Sequence, residues 1–97
     1  MIKKELINNR EKNRYEYHVD GRLSRIEYIL ANNEIYLTHT EVDSGLEGQG
    51  IGKEIIAFAL KDIEDQKLKL IPLCPFVASF IRLNPEWKTL LKNGINI

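Results

Sequence analysis

Several features that identify particular protein classes are missing from this sequence. Its 97 residues contain a single cysteine, Cys74, which excludes an intrachain disulfide and a cysteine-based zinc site. No apolar run approaches the ~18 residues that a membrane-spanning helix needs, and the first residues lack the apolar stretch of a signal peptide. We therefore expect a cytoplasmic protein that does not enter a membrane.

The chain also has no net charge at pH 7. Fourteen basic residues balance fourteen acidic ones, and the isoelectric point is about 6.7. Nucleic acids and anionic membranes bind clustered lysine and arginine, so neither is an expected partner. With 43% hydrophobic and 29% charged residues, the composition is that of a globular protein. At this length we expect one domain spanning residues 1–97, which is a monomer or a weak dimer.

The first half of the chain has the period-two pattern of β-strands. Tyr15, Tyr17 and Val19 alternate with polar residues, and two pairs of turn residues, Asp20-Gly21 and Asn32-Asn33, separate the apolar stretches. The pattern predicts antiparallel strands over residues 15–19, 23–30 and 34–42, with a weaker edge strand over residues 3–8.

The period changes after Gly50. Apolar residues then recur at the spacing of an amphipathic helix of about four turns, at Ile51, Ile55, Ile56, Ala59 and Ile63. An apolar strand over residues 68–73 completes a strand–helix–strand unit, whose two strands should be parallel. Residues 75–91 predict a further helix, interrupted at Asn84-Pro85. The predicted fold class is α+β, with a mixed sheet of antiparallel N-terminal strands, a βαβ crossover and C-terminal helices.

Four of the six glycines lie between the last antiparallel strand and the helix, from Asp43 to Lys53. Glycine permits unusual backbone angles, and a helix N-terminus attracts anions, so this loop is predicted to bind a phosphate or pyrophosphate. The Walker pattern fails because Glu47 replaces its first glycine and Glu54 its Ser/Thr. The dinucleotide fingerprint fails because no frame supplies its third glycine. A loop that uses its glycines only to turn is the alternative.

The segment from Glu47 to Gly52 resembles the coenzyme A loop of the GNAT acetyltransferases, Arg/Gln-x-x-Gly-x-Gly/Ala at the start of a helix, with glutamate in the first position. Three more blocks resemble the small, single-domain branch of that superfamily: His39-Thr40-Glu41-Val42, Leu73-Cys74-Pro75-Phe76-Val77 and Asn84-Pro85-Glu86-Trp87. The resemblance implies a GNAT-like fold, with acetyl-CoA as cosubstrate. It also implies transfer of an acetyl group to an amine acceptor, which could be a protein or peptide amine.

The resemblance also implies where the coenzyme would bind. Backbone amides of the loop would hold the pyrophosphate, and the strand that ends at Val42 would bind the pantetheine arm. The implied cofactor-binding residues are Val42, Gly48, Gln49, Gly50, Ile51, Gly52 and Lys53. The Lys53 ammonium could add a charge to a phosphate, although a solvated lysine in a first helical turn is the alternative. Glu47 should point outward, because a phosphate repels its carboxylate.

Three residues are candidates for the chemistry. The tyrosine that GNAT enzymes frequently use as general acid is missing, because no tyrosine follows Tyr36. Cys74 is the predicted substitute, as general acid or as transiently acylated nucleophile, because it opens a helix, where a thiol is more reactive. The alternative for Cys74 is a small buried hydrophobic residue.

The second and third candidates are His39 and Glu41 on the strand that leads into the loop. Imidazole is suited to accept the proton of an amine near neutral pH, and Glu41 is the second candidate base. Simple alternation places both on the face of Ile35 and Leu37. A hydrogen-bonded histidine at the core's edge is the alternative. The spacing of the histidines and the cysteine is not that of metal ligands, so no metal is predicted.

Two other functions remain open at this stage. The first is a noncatalytic module that binds CoA or acyl-CoA, or an interaction module, and it is favoured by the missing tyrosine and the small size. The second function is that of a structural protein in which the glycine loop only turns the chain. Core packing is predicted for the apolar residues of the C-terminal segment, Phe76, Phe80, Ile81, Leu83 and Trp87.

Overall fold

The computed structural model describes residues 3–97, and its elements follow the predicted order. The strands are β1 (Lys4–Asn9), β2 (Arg14–Val19), β3 (Arg22–Ala31), β4 (Glu34–Glu41) and β5 (Lys69–Pro72). The helices are α1 (Ile51–Asp65) and α2 (Pro75–Leu83), and 3₁₀ helices span Ser44–Leu46 and Pro85–Leu90. This arrangement confirms the α+β fold class.

The strands form one mixed sheet in the order β1-β2-β3-β4-β5. The first four are antiparallel neighbours, and β5 is parallel to β4, as the predicted crossover requires. Both predicted turns have two residues with positive φ, at 49° and 78° for Asp20-Gly21 and at 51° and 65° for Asn32-Asn33. Such pairs match the right-handed twist of the hairpins that they connect.

The two faces of the sheet differ in what they carry. The inner face presents buried apolar and aromatic side chains, namely Tyr15, Tyr17, Val19, Ile26, Tyr28, Ile35, Leu37 and Leu70. Both α-helices pack on this face, and their buried residues form one hydrophobic cluster with those of the strands. The outer face carries charged side chains along β2, β3 and β4: Arg14, Glu16, Arg25, Glu27 and Glu41.

The C-terminus of α1 is fixed by a left-handed residue, Lys67, with φ 57°. Leu68 N–H donates to the Ile63 carbonyl at 3.2 Å, and Lys67 N–H donates to the Glu64 carbonyl at 3.1 Å. These two bonds are the Schellman motif, which ends a helix and turns the chain. The turn directs the chain into β5 beside β4.

The C-terminal segment departs from the prediction in two ways. The interruption at Asn84-Pro85 is confirmed, because Asn84, which precedes proline, has a φ of −130°, outside the helical region. The residues after the interruption form a 3₁₀ helix rather than an α-helix. Phe76 and Leu83 are 51% and 81% exposed, so the prediction that they pack in the core was wrong. They lie beside the buried stripe of α2 rather than on it. Core packing is confirmed for Ile81 and, in part, for Phe80 and Trp87.

Candidate functional site

A gap opens where β4 and β5 separate. Pairing between the two strands ends at Leu37 and Pro72. Cys74 N–H donates to the Leu37 carbonyl at 2.9 Å, and within residues 3–97 no backbone hydrogen bond joins the two segments beyond it. The C-terminal half of β4 therefore has a strand partner on one side only, and its other edge is open to a ligand.

A groove of about 610 Å³ lies along this open edge. One side is formed by His39 and Thr40 of β4 and by Lys53 of α1. The other side comes from the start and one face of α2, through Cys74, Pro75, Phe76, Ser79, Phe80 and Leu83. The exposed apolar side chains of α2 are thus a wall of the groove. This wall was not predicted from the sequence, although Phe76, Phe80 and Leu83 recur at helical spacing, beside the stripe that α2 buries.

A second cavity of about 340 Å³ adjoins the groove at the glycine loop. Lys53 and Phe76 line both cavities, so the two meet between α1 and α2. Most of the predicted cofactor-binding residues line the second cavity: Val42, Gly48, Gly50, Ile51, Gly52 and Lys53. Gln49 is exposed in the same loop but is not one of the lining residues of this cavity.

Two glycines shape the loop through their backbone angles. Gly48 and Gly50 have φ values of 81° and 75°, which side-chain-bearing residues rarely adopt. An added Cβ would meet nothing within 4 Å at either position, so both face open space. Gly50 is also the N-cap of α1 and brings no side chain to the first N–H groups of that helix. These N–H groups have no acceptor within the helix and form a site that favours an anion.

Gly52 has a different role. An added Cβ at Gly52 would lie 2.9 Å from the Cζ atom of Phe76, closer than atoms normally approach. The missing side chain lets the aromatic ring rest against the first turn of α1. Gly52 therefore sets the distance between the two helices where the cavities meet.

Placement of His39 and Glu41 on the face of Ile35 and Leu37 was wrong. Tyr28 pairs with Leu37 and Glu27 pairs with His39, so Thr38 is an extra residue in β4, a β-bulge. The Thr38 hydroxyl donates to the carbonyl of Glu27 at 3.2 Å.

The bulge reverses the alternation of side chains after Leu37. His39 and Glu41 consequently lie on the outer face, opposite Glu27 and Arg25, while Thr40 lies on the inner face opposite Ile26.

Cys74 is buried, with 5% of its surface exposed, and its side chain lies on the inner side of the groove. Its thiol donates to the Thr40 hydroxyl, with sulfur and oxygen 3.3 Å apart. His39 and Cys74 thus line the same groove but belong to opposite sides of β4. The structure brings the two candidates to one gap without pairing them.

Two ion pairs fix the carboxylates near His39. Arg25 Nε donates to Glu27 at 2.8 Å, and Arg25 Nη1 lies 2.7 Å from Glu41. The hydrogen bond from Arg25 lowers the pKa of Glu27, with burial opposing it. Glu41 is therefore held by a guanidinium, while His39 is exposed at the edge of the groove.

Among residues 3–97, no three His, Cys, Asp or Glu side chains come close enough together to hold a metal ion. No helix of the same segment is long and apolar enough to cross a membrane.

Comparisons with known proteins match both the sequence and the fold of this chain. Residues 14–90 match the sequence profile of a family described as GCN5-related N-acetyltransferases. A solution NMR structure from Staphylococcus aureus, described as a GCN5-like candidate N-acetyltransferase, is 26% identical with a TM-score of 0.71. The match covers 95% of this chain and 90% of that one. None of the curated proteins matches at a significant level.

Proposed function

Because the chain belongs to the GCN5-related N-acetyltransferase family, we propose that it binds acetyl-CoA and transfers the acetyl group to an amine. The observation that carries this proposal is the pair of adjoining cavities, which run from the glycine loop to the gap between β4 and β5. At one end the free N–H groups of α1 favour an anion, although Glu47 also lines that cavity, and the other end is walled by apolar side chains. Acetyl-CoA has the same order of parts, an anionic nucleotide followed by a long arm and the thioester.

The residues present fit this ligand. The N–H groups at the start of α1, from Ile51 to Lys53, would bind the pyrophosphate, with the Lys53 ammonium beside it. Gly48 and Gly50 would let the phosphates approach the backbone closely, because nothing occupies the space at their Cα atoms. The open edge of β4 up to Val42 would hydrogen-bond the pantetheine amides, as one strand bonds to another.

His39 is the proposed base of the reaction. When bound, acetyl-CoA supplies an acetyl group whose C–S bond breaks as the new C–N bond forms. His39 takes the proton that the amine loses. Glu41 is a poorer candidate, because its carboxylate is already paired with Arg25 at 2.7 Å.

Cys74 is the proposed general acid on the inner side of the gap. Its thiol would give a proton to the sulfur as the C–S bond breaks, so that CoA leaves as the thiol and Cys74 regains a proton from solvent. Transient acylation of Cys74 is the alternative role, and trapping of an acetylated Cys74 peptide would distinguish it. The outer face beside His39 carries neither α-helix, which leaves room for a bulky acceptor such as a protein or peptide amine.

Thermal shift and calorimetric titration with acetyl-CoA, CoA and ATP test the proposed ligand. A ligand at 100 times its Kd stabilises the folded state by about 2.7 kcal/mol, which raises the Tm of a domain this size by about 10 °C or more. We expect acetyl-CoA and CoA to give this rise and ATP to give none. If no CoA compound raises the Tm, the proposal is wrong.

A noncatalytic CoA-binding module is the second candidate function. It is favoured by the groove wall, where α2 presents Phe76 and Phe80 and no tyrosine hydroxyl. Assay of acetyl transfer to a broad panel of amines and peptides separates the two candidates. Saturable binding of acetyl-CoA without turnover of any acceptor would favour the noncatalytic module.

A further inference from the structure

Charged side chains on the outer face form a regular array, here called the charge lattice: Arg14, Glu16, Arg25, Glu27, His39 and Glu41. Two rows cross strands β2, β3 and β4. Register places Arg14, Glu27 and His39 in one row and Glu16, Arg25 and Glu41 in the next. The five formally charged neighbours, all except His39, therefore alternate in sign along each strand and across the strands. Opposite charges in directly facing positions stabilise a sheet, and like charges destabilise it.

Short ion pairs occupy most of the lattice. Arg14 Nε lies 2.5 Å from Glu16, and Arg25 reaches Glu27 at 2.8 Å and Glu41 at 2.7 Å. His39 takes the remaining corner, at the gap between β4 and β5. Its neighbour across the strand is Glu27, and the next outer-face residue of its own strand is Glu41. In the alternating pattern, this corner is a position for a positive charge.

We propose that Glu27 is a positioning residue that stabilises His39 in its protonated form, as His39 takes the proton of the acceptor amine. The proposal rests on the proposed function for its catalytic consequence. Three observations support it: the direct register pair of Glu27 with His39, the bulge at Thr38 that turns His39 to the outer face, and the hold of Arg25 on the Glu27 carboxylate. Without the bulge, His39 would face the core and have no carboxylate opposite.

The other charged groups around His39 act in both directions, because Glu41 favours a positive charge there while Lys53 and the two arginines oppose it. Arg14 faces Glu27 from β2 and, with Arg25, keeps that carboxyl ionised. Lys53 of α1 and the thiol of Cys74 line the groove together with His39. The side chain of Glu27 is 43% exposed, so solvent screens its field and we expect a modest effect.

NMR titration of side-chain carboxyl carbons tests the pair without any turnover. A cation beside a carboxylate lowers its pKa, so removal of the cation raises it. Hydrogen bonding from Arg25 is the main cause of the lowered Glu27 pKa, and the charge of His39 contributes. We expect His39→Gln to raise the pKa of Glu27 by about 0.3 to 0.5 units, the size of a Coulomb interaction across ~6 Å of water.

His18→Gln is the matched control, because His18 is the other histidine and is bound to a different carboxylate, Glu16, at 2.8 Å. This change should raise the pKa of Glu16 and leave that of Glu27 unchanged. A Glu27 titration that is the same in His39→Gln and wild type overturns the proposal.

The pH profile of kcat/KM tests the catalytic consequence. Glu27→Gln removes the negative charge that lies opposite His39, so the imidazole should stay unprotonated, and able to accept the proton of the amine, down to a lower pH. The acid limb should then move to lower pH by up to about 0.5 units. Glu34→Gln is the control, because Glu34 is also an outer-face glutamate of β4 but is paired with Lys92 at 2.6 Å.

An acid limb that stays in place in Glu27→Gln overturns the positioning role. An equal shift in both variants also overturns it, since the effect would then be one of general surface charge. If no amine is acetylated by the wild type, the proposed function fails, while the carboxyl titration still decides whether Glu27 and His39 interact.

Discussion

The inner and outer faces of the sheet are stabilised by different interactions. The inner face buries apolar side chains, and two carboxylates of α1 accept hydrogen bonds there: Glu54 from Tyr17, and Asp62 from three side chains. The three donors to Asp62 are Tyr15 at 2.8 Å, Asn8 at 3.1 Å and Gln66 at 2.5 Å. This network ties the C-terminal half of α1 to strands β1 and β2.

The outer face depends on charge instead. Glu16 is only 4% exposed although neither α-helix covers this face, because the residues that bind it also cover it. Its partners are Arg14, His18 and Asn9. Stability contributed by the apolar side chains of the inner face should therefore be insensitive to salt, while stability contributed by the outer face should depend on both salt and pH.

The faces meet at the gap between β4 and β5. The bulge at Thr38 sends His39 to the charged face and Thr40 to the apolar one. A ligand in the groove would thus touch a titratable group on one side and the buried thiol of Cys74 on the other. This difference suggests a division in which the proposed base, His39, lies on the outer side of the gap and the proposed general acid, Cys74, lies on the inner side.

The largest expected effect is on the inner face. Asp62→Ala leaves the Tyr15 hydroxyl and the Asn8 amide without their acceptor in a partly buried site, and should lower the free energy of unfolding by about 3 kcal/mol. Chemical denaturation measures the loss, which should be the same at low and high salt.

Asp62→Asn is the control for this prediction. It keeps a carbonyl that accepts one hydrogen bond, so it should cost less than Asp62→Ala. Burial and the hydrogen bond to Asp62 both raise the pKa of Tyr15. The phenol therefore keeps its proton, and remains a hydrogen-bond donor, at every pH at which stability would be measured. A loss below 1 kcal/mol for Asp62→Ala would show that the network contributes little.

The second largest expected effect is a loss of stability at acid pH, which arises from a carboxylate on the outer face. Burial alone would raise the pKa of Glu16, but hydrogen bonds from His18, Arg14 and Asn9 outweigh burial and lower it to about 2. A lowered pKa means stability that is present above the unfolded value near 4.5 and is lost as the pH falls toward 2.

Denaturation between pH 5 and 2 measures this loss, which we expect to be roughly 1 to 3 kcal/mol. Glu16→Gln removes the titrating group, so the variant should lose less stability than wild type over the same interval. Parallel curves for the two proteins would assign the acid loss to other carboxylates.

Much of this fold could be predicted because local signals and tertiary structure agree. The turns at Asp20-Gly21 and Asn32-Asn33 require residues that tolerate positive φ, and the stripe of α1 matches its buried face. The glycine loop could be predicted because its local signal also agrees with the structure: Gly48 and Gly50 have the positive φ values that glycine permits.

The rest could not be predicted because it depends on partners distant in sequence. Period-two alternation assumes an unbroken ladder, and nothing at Thr38 indicates that Glu27 will face His39 after an extra residue. The roles of Phe76 and Gly52 depend on each other's position, 24 residues apart in sequence. The separation of β4 from β5, which creates the groove, has no local signal either.

The smallest expected effect lies in the groove, where a change should alter binding more than the stability of either face. In Gly52→Ala the new methyl group meets the far end of the Phe76 ring at 2.9 Å. The ring is half exposed and can move, so it should shift into the groove. We expect about fivefold weaker binding of CoA in calorimetry, because the ring then occupies space between the two cavities.

The stability of Gly52→Ala should change little, because alanine favours the helix by up to about 1 kcal/mol and offsets the displaced ring. The same change in a Phe76→Ala background is the control that separates two explanations. With the ring removed, the methyl group has room, and Gly52→Ala should no longer weaken binding. If it weakens binding equally in both backgrounds, the methyl group obstructs the ligand directly, and Gly52 is a contact of the ligand rather than a spacer between α1 and α2.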